Sequence, residues 1–154
     1  RPSVIYGEAD QFLNRMAGIA RMTPIVPIIG TGKWRFQPIW VGDVCTCLSK
    51  ALDAPKVVGH TYTIGGPDIL TYEEVMDLLL AKLGLRRWKL HVPIALMKPA
   101  AFLMDKLLPN PPLTPGQLDL LQVDNITDRD SVESHFGFEP ASMREKIDYI
   151  RGRP

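Results

Sequence analysis

The residues able to do chemistry in this 154-residue chain are few and scattered. Cys45 and Cys47 stand two positions apart, so on a helix they point to different faces, and no second Cys or His pair follows at zinc spacing. We therefore interpret them as ordinary core and surface cysteines. The histidines, His60, His91 and His135, form no motif, so we expect neither a metal site nor a catalytic triad from them.

A glycine-containing segment, GTGK at residues 30–33, invites comparison with phosphate-binding loops. It lacks the G-x-x-x-x-G-K-[ST] spacing of a P-loop, which favours a tight turn between two extended segments. Lys33 and Arg35 nevertheless flank Trp34, and two cations beside an aromatic ring would suit a substrate anion. No Ser lies in a G-x-S-x-G elbow, which excludes hydrolases that use that nucleophile.

The composition is that of a globular protein and excludes several functional classes. The chain is 45% hydrophobic and 23% charged, with 18 Lys and Arg against 17 Asp and Glu and a net charge of +1. A net charge this close to zero does not provide the excess of basic residues that attracts nucleic acid, so we expect no nucleic-acid partner. Two cysteines cannot form a disulfide scaffold. We expect no transmembrane segment, because no run of about 18 uncharged apolar residues occurs.

Proline, glycine and helix-capping residues divide the chain into alternating strands and helices. The predicted strands occupy residues 2–6, 36–41, 61–64 and 89–92, with an extended, edge-type segment at 24–30 that we expect to form a hairpin-like arm with 36–41. The predicted helices occupy residues 10–22, 43–52, 71–83, 94–108 and 114–123, and a last helix begins at 142. This alternation indicates an α/β fold that becomes mostly helical after residue 86.

Capping residues predict where the helices begin. Asp10 and Asp43 are the expected N-caps of the first two, and capping boxes are expected at residues 71–74 and 142–145. The predicted inner faces are Phe12, Met16, Ile19 and Ala20 in the first helix and Met143, Ile147 and Ile150 in the last. The apolar 94–108 segment is interrupted by Pro99; core packing is favoured there over a membrane surface or a partner protein.

Five segments recur in a familiar order and spacing: RPSVIYG at 1–7, FLNR at 12–15, FQPIWVGDV at 36–44, YTIGGP at 62–67 and LTYEE at 70–74. Together they resemble the C-terminal half of an extended, atypical short-chain dehydrogenase/reductase of the NAD-dependent epimerase/dehydratase type. The similarity is greatest to the group that contains the NAD(P)H-binding accessory subunit of respiratory complex I and its bacterial relatives. It covers residues 1–85 well and the later residues more loosely.

The resemblance implies a particular α/β fold, the last sheet strands of a Rossmann-like domain followed by a mostly helical, substrate-side portion. We expect residues 1–86 to form the end of the sheet with a substrate-side hairpin and helices. Residues 87–154 would be a mainly helical extension rather than an independent domain. Because the sequence starts inside a predicted strand, we interpret it as a piece of a longer protein. A missing N-terminal half or another chain would then complete the sheet.

The resemblance also implies roles for five residues. Pro2 and Ser3 would lie at the carboxyl ends of strands, near the nicotinamide of the cofactor. Phe12, Asn14 and Arg35 match positions that line the substrate pocket, and in sugar-nucleotide members an Arg at the last of these meets a diphosphate. The implied cofactor is NAD or NADP.

The catalytic parts of the family do not occur in these residues. These residues contain neither the glycine-rich phosphate-binding loop nor the acidic residue that binds the cofactor ribose. The catalytic Tyr-x-x-x-Lys pair is also missing, because none of the four tyrosines is followed by Lys four residues later. We therefore expect no catalytic residue here and no activity of this chain alone.

Two functions of a longer protein stay open from the sequence, besides a third interpretation of the chain as an independent binding module. One is the substrate-side portion of an NAD(P)-dependent oxidoreductase or epimerase that acts on a small-molecule substrate or nucleotide. The other is a non-catalytic, nucleotide-holding accessory or assembly subunit of a respiratory NADH dehydrogenase complex, with respiratory-complex subunits as partners. The expected location is the cytoplasm or an organelle matrix, including the periphery of a membrane complex.

Overall fold

A computed structural model describes residues 1–107, 109 and 114–152, apart from the side chain of Lys56. Its strands are β1 (Ile5–Tyr6), β2 (Ile25–Ile29), β3 (Arg35–Phe36), β4 (Ile39–Trp40), β5 (Leu70–Thr71) and β6 (Trp88–Val92). Its helices are α1 (Phe12–Met22), α2 (Val41–Leu52), α3 (Tyr72–Leu83), α4 (Ile94–Leu107), α5 (Pro115–Leu120), α6 (Ser131–Phe136) and α7 (Met143–Lys146), with short 3-10 helices at Pro55–Val57 and Ile147–Gly152. The mixed α/β class predicted from the sequence is confirmed.

The described strands pair two by two. β1 runs parallel to β4, with Ile5 opposite Ile39, and β2 runs parallel to β6 over five residues. β3 and β5 are antiparallel. Pro2 forms an isolated parallel bridge with Ile64, so the predicted strand at 61–64 is reduced to a single paired position beside the start of the chain.

The predicted hairpin-like arm does not form, because the turn at residues 30–33 carries the chain away from β2. Gly30 and Gly32 both have positive φ, at 56° and 67°, a conformation that glycine adopts without strain. Beyond them, the Gly32 carbonyl accepts a hydrogen bond from the Glu73 N–H at 3.1 Å, and the Trp34 carbonyl accepts one from the Tyr72 N–H at 3.0 Å. The turn is therefore docked on the first turn of α3, and β3 pairs with β5 instead of folding back on β2.

Two of the predicted caps are confirmed and two are not. Asp10 accepts a hydrogen bond from the Leu13 N–H at 2.6 Å, and α3 begins with the predicted capping box. Asp43 lies inside the first turn of α2, where it accepts from the Ala141 N–H at 2.8 Å. Ser142 caps α7 through the Arg144 N–H rather than through the predicted box, and its hydroxyl donates to Asp68 at 2.6 Å. Both carboxylates therefore tie the C-terminal segment to the rest of the fold.

The main core joins residues from both ends of the chain. It contains Tyr6, Leu13, Val75 and Leu79 from the first part and Ala101, Leu118, Met143, Ile147 and Ile150 from the second. The predicted inner face of the last helix is confirmed, since all three of its residues are fully buried. The division at residue 86 stays a prediction.

The predicted inner face of α1 is confirmed for Met16 and Ala20 but not for Phe12 and Ile19. Leu13, Met16, Ala17 and Ala20 are buried, whereas Phe12 and Ile19 are only partly covered. The shift arises because α1 packs against α3 and the C-terminal 3-10 helix on one side, which leaves its other edge facing a cavity.

Helix α4 is much less buried than predicted. It buries Ala101 and runs through Pro99 without a break, while its large exposed side chains include Leu96, Phe102, Leu103 and Leu107. The predicted core packing of this segment is therefore wrong for most of its length, and its predicted end at residue 108 lies outside the described residues. Within the described ranges, no helix combines the length and apolar character needed to cross a bilayer.

Candidate functional site

A buried polar network lies at the start of the chain, beside the parallel bridge between Pro2 and Ile64. The Ser3 side chain is nearly buried, and its hydroxyl donates to the Asn125 carbonyl at 2.8 Å. The same oxygen accepts from the Gln37 N–H at 3.3 Å. Both hydrogen-bonding roles of this hydroxyl are therefore used inside the fold.

Gln37 completes this network and was missed by the sequence analysis. Its side chain is fully buried; Nε2 donates to the Gly66 carbonyl at 2.8 Å, and Oε1 accepts from the Thr127 N–H at 2.7 Å. A Cβ added at Gly66 would lie 2.0 Å from the Pro38 carbonyl oxygen, so the backbone approach requires glycine there. The available signal was a polar residue inside the apolar FQPIW segment. The network fixes residues 125–127 against the strands.

A cavity of about 620 Å³ opens beside this network. One of its walls comes from Phe12, Met16 and Ile19 of α1 and from Pro27 and Ile29 of β2. Phe12 also makes an edge contact with the Tyr72 ring, at 6.3 Å between centroids. This wall is apolar and combines core residues, Met16 and Ile29, with the partly covered Phe12 and Ile19.

The opposite wall belongs to the later part of the chain. Met97 and Met104 of α4, with Leu120, Leu121 and Val123 around the end of α5, line this side. Ala101 anchors α4 in the core, and Leu118 does the same for α5. Each of these two helices therefore has one fully buried side chain, and its other apolar side chains face the cavity or the surface.

Polar groups on the cavity come from a few positions. The amides of Gln11, Gln117 and Asn125 line it, as do the charged side chains of Arg15 and Asp124. The Tyr72 side chain also lines it, and burial raises the pKa of its hydroxyl to about 12, so this group is neutral near pH 7. The described lining therefore offers several neutral hydrogen-bonding groups, together with one positive and one negative side chain.

Arg35 lies at the edge of this site, paired with Asp124. Its Nη2 and Nε atoms donate to Oδ2 of Asp124 at 2.6 and 2.9 Å, and its backbone N–H donates to Oδ1 at 2.9 Å. The backbone hydrogen bond and the guanidinium hold the pKa of Asp124 below its ordinary value. The cation expected to meet a substrate phosphate is therefore already bound to a carboxylate of the cavity lining.

The other predicted site residues are separated by the structure. Phe12 lines the cavity. Asn14 instead donates its side-chain amide to the carbonyls of Asp10 and Glu8, at 2.7 and 3.2 Å, and so secures the turn before α1.

Cys47 is buried and Cys45 exposed, as the sequence suggested for ordinary core and surface cysteines.

A dinucleotide finds no phosphate cradle among the residues that the structure describes around Pro2 and Ser3. The Ser3 hydroxyl is engaged by Asn125 and Gln37, and the Arg1 carbonyl accepts from the Ile64 N–H at 3.1 Å. The described groups around Pro2 and Ser3 therefore do not by themselves fit the phosphates of such a cofactor.

No family model matches the sequence. The chain is 33% identical over 134 residues to NADH dehydrogenase [ubiquinone] 1 alpha subcomplex subunit 9, mitochondrial, of Arabidopsis thaliana, an alignment that covers 82% of this chain and 33% of that protein. It is 29% identical over 157 aligned positions to 3beta-hydroxysteroid-dehydrogenase/decarboxylase isoform 1 of the same plant, covering 91% of this chain and 36% of the relative. The chain thus spans about a third of the length of these curated relatives.

Among solved structures, the dTDP-glucose 4,6-dehydratase of Bacillus anthracis, in complex with NAD, superposes with a TM-score of 0.65 at 18% identity. The match covers 97% of this chain and 41% of that one. At this identity the likeness shows the fold, which is the Rossmann-like α/β fold of the epimerases and dehydratases. The curated relatives and this fold are together consistent with an extended short-chain dehydrogenase/reductase-like protein related to the respiratory complex I subunit, as the sequence resemblance predicted.

Proposed function

We propose that this chain forms the substrate-side portion of an NAD(P)-dependent protein of the oxidoreductase or epimerase type. The observation that carries the proposal is the cavity between α1, β2, α4 and α5, which adjoins the polar network of Ser3 and Gln37. Ile29, the last residue of β2, lines this cavity, and in open α/β folds ligands bind in the crevice beyond the carboxyl ends of parallel strands. A cavity of this size lies within the usual range for small-molecule sites.

The chain's own residues would hold and orient a substrate. Phe12 and the other apolar side chains of the two walls would exclude water from the reacting group. The network of Ser3 and Gln37 would keep the Asn125 segment in place as one edge of the site. NAD or NADP, when bound, would supply the hydride chemistry, and we propose that Pro2 and Ser3 border it through their backbone only.

The other three proposed site residues, Phe12, Asn14 and Arg35, have different roles. Phe12 would contact the substrate directly, while Asn14 would position the start of α1 and hence Phe12. Arg35 would act on the site through Asp124 rather than on a phosphate. We further propose that residues 1–86 and 87–154 act as sheet-side and helical portions of one unit, because the cavity takes lining from both.

The alternative function is a non-catalytic accessory or assembly subunit of a respiratory NADH dehydrogenase complex. Two observations favour it: a relative at 33% identity bears the name of such a subunit, and α4 leaves Leu96, Phe102 and Leu107 exposed. Under this proposal the protein would sit on the matrix or cytoplasmic side, at the periphery of the membrane complex, with other subunits of that complex as partners.

One set of measurements on the protein at its natural length tests both proposals. Binding of NADH and NADPH is followed by nicotinamide fluorescence, and turnover by the loss of nicotinamide absorbance with a panel of carbonyl substrates. Nucleotide binding with turnover supports the first function. Nucleotide binding without turnover, together with co-purification of NADH dehydrogenase subunits from the native source, supports the second. Failure to bind either nucleotide would overturn both.

A further inference from the structure

We infer that the cavity takes a largely apolar, uncharged ligand of the sterol or prenyl-lipid type, and not a diphosphate-bearing sugar nucleotide. The inference deepens the proposed function, on which it rests, by naming the class of substrate. It stands on the chemistry of the cavity walls, on the ion pair at the edge and on the character of the rim.

The walls of the cavity are apolar on both sides. Phe12, Met16 and Ile19 face it from α1, and Met97, Met104 and Leu121 face it from the later helices. Burying apolar surface against such walls is the main favourable term for a lipid-like ligand. The methionine side chains are flexible and polarizable, so they adapt to a ring system or a branched chain. A nucleotide sugar, with its many hydroxyl groups, would leave polar atoms unpaired against these walls.

Charge at the cavity also disfavours a diphosphate. Of the described side chains that line it, Arg15 and Asp124 are charged, so their formal charges cancel. A diphosphate is recognised by several cationic or N–H donors acting together. Arg35 is a further candidate, but it donates three hydrogen bonds to the Asp124 carboxylate at 2.6–2.9 Å. Drawing the Arg35 side chain to a phosphate would leave the Asp124 carboxylate without its guanidinium partner, beside a ligand of the same sign.

The amides on the lining match a ligand with a single polar end. Gln11, Gln117 and Asn125 offer donors and acceptors without net charge, which suits one hydroxyl or carbonyl group. Part of the rim is apolar as well, because Leu120 and Val123 line the cavity and yet remain 73% and 64% exposed. An apolar molecule can therefore enter over these two side chains.

The test uses the natural-length protein and three probes: dehydroergosterol, decylubiquinone and UDP-glucose. Binding of the first two is followed by tryptophan fluorescence, and UDP-glucose is added as a competitor and also titrated alone by calorimetry. Two neighbouring residues of α4 give a matched pair, since Met104 lines the cavity and Leu103 does not. The variants are Met104→Arg and Leu103→Arg, with Ile19→Ser as a milder cavity variant in case Met104→Arg does not fold.

We expect at least one apolar probe to bind and UDP-glucose neither to bind nor to compete. Met104→Arg should weaken that binding by about tenfold or more, because it places an unpaired charge against the ligand. Ile19→Ser should weaken it less, and Leu103→Arg should leave it within about twofold. The inference is overturned if neither apolar probe binds, if UDP-glucose binds in the cavity, or if both α4 variants weaken binding equally.

Titration of NADH in the same samples separates this inference from the proposed function. If NADH binds and neither apolar probe does, the substrate class is wrong while the proposed function stands. If an apolar probe binds in the expected pattern and neither nicotinamide nucleotide binds, the proposed function is wrong and the ligand class stands.

Discussion

Helices α3 and α4 have similar lengths, 12 and 14 residues, and similar apolar content, but the fold uses them in opposite ways. Helix α3 buries Tyr72, Val75, Met76, Leu79 and Leu80 in the main core. Helix α4 buries Ala101 and gives its remaining apolar side chains to the cavity wall and to the surface. Apolar content alone therefore does not decide which helix builds the core.

The polar residues account for the difference. In α3, Glu73 and Asp77 lie on one side and bind Lys89 of β6 at 2.7 and 2.9 Å, which leaves the opposite side for the core. In α4, apolar residues occur on all sides, so the helix has no single apolar face that would be buried in the core. A helix with this pattern contributes apolar surface in several directions, which suits a cavity wall better than a core.

The largest effect that would sharpen this contrast is expected at the centre of α3. Leu79→Ala removes a fully buried side chain and should lower the free energy of unfolding by about 2–5 kcal/mol. Leu103→Ala in α4, where the side chain is 58% exposed, should lower it by less than about 0.5 kcal/mol. Urea denaturation followed by circular dichroism measures both. Equal losses would mean that α4 is as deeply packed as α3.

A smaller effect is expected at the point where α4 enters the core. Ala101 is fully buried and its neighbour Ala100 is exposed. Ala101→Leu overfills the core and should cost about 1–3 kcal/mol, whereas Ala100→Leu should be near neutral. The same denaturation experiment compares them, and a tolerated Ala101→Leu would show that α4 is not anchored there.

The contrast also explains what could be predicted from the sequence. The start and end of α3 were predictable because the Thr71 box and Gly84, with a φ of 68°, are local signals. The parallel partner of β2 was not, because β6 follows it by about 60 residues and no local pattern encodes that pairing.

The candidate site was predictable only in part, for a related reason. Phe12 lines the cavity, and its role in a substrate pocket stays a prediction. The pairing of Arg35 with Asp124 joins positions 89 residues apart, and so it became visible only in three dimensions. The same holds for Gln37, whose partner Thr127 is 90 residues away.

A further comparison concerns the capping boxes of α3 and α5, which have the same geometry. In each, a Thr hydroxyl accepts from the third N–H of the helix, at 3.2 Å for Thr71 and 3.3 Å for Thr114. Thr71→Ala should lower the free energy of unfolding by about 1 kcal/mol. Thr114→Ala should lower it less, because α5 is six residues long and buries one side chain, Leu118. Thermal unfolding measures both, and a larger loss for Thr114→Ala would reverse the ranking of the two helices.

The smallest expected effect is the pH dependence of the α3 cap. Glu74 accepts from the Thr71 backbone N–H and hydroxyl at 2.7 and 2.8 Å, and these hydrogen bonds hold its pKa below the ordinary value. Because the folded-state pKa is the lower one, the cap's contribution is complete above the unfolded pKa of about 4.3 and is lost as the pH falls through the folded pKa.

Stability should therefore fall more steeply below about pH 4.3 in the unmodified protein than in Glu74→Gln, which keeps the side-chain shape without the ionisable group. The difference should be small, because the Glu74 side chain is exposed and solvent screens its charge. Urea midpoints collected across the acid range measure it. Identical pH profiles for the two proteins would show that the Glu74 carboxylate does not stabilise α3, and that the advantage of α3 over α4 comes from its buried face alone.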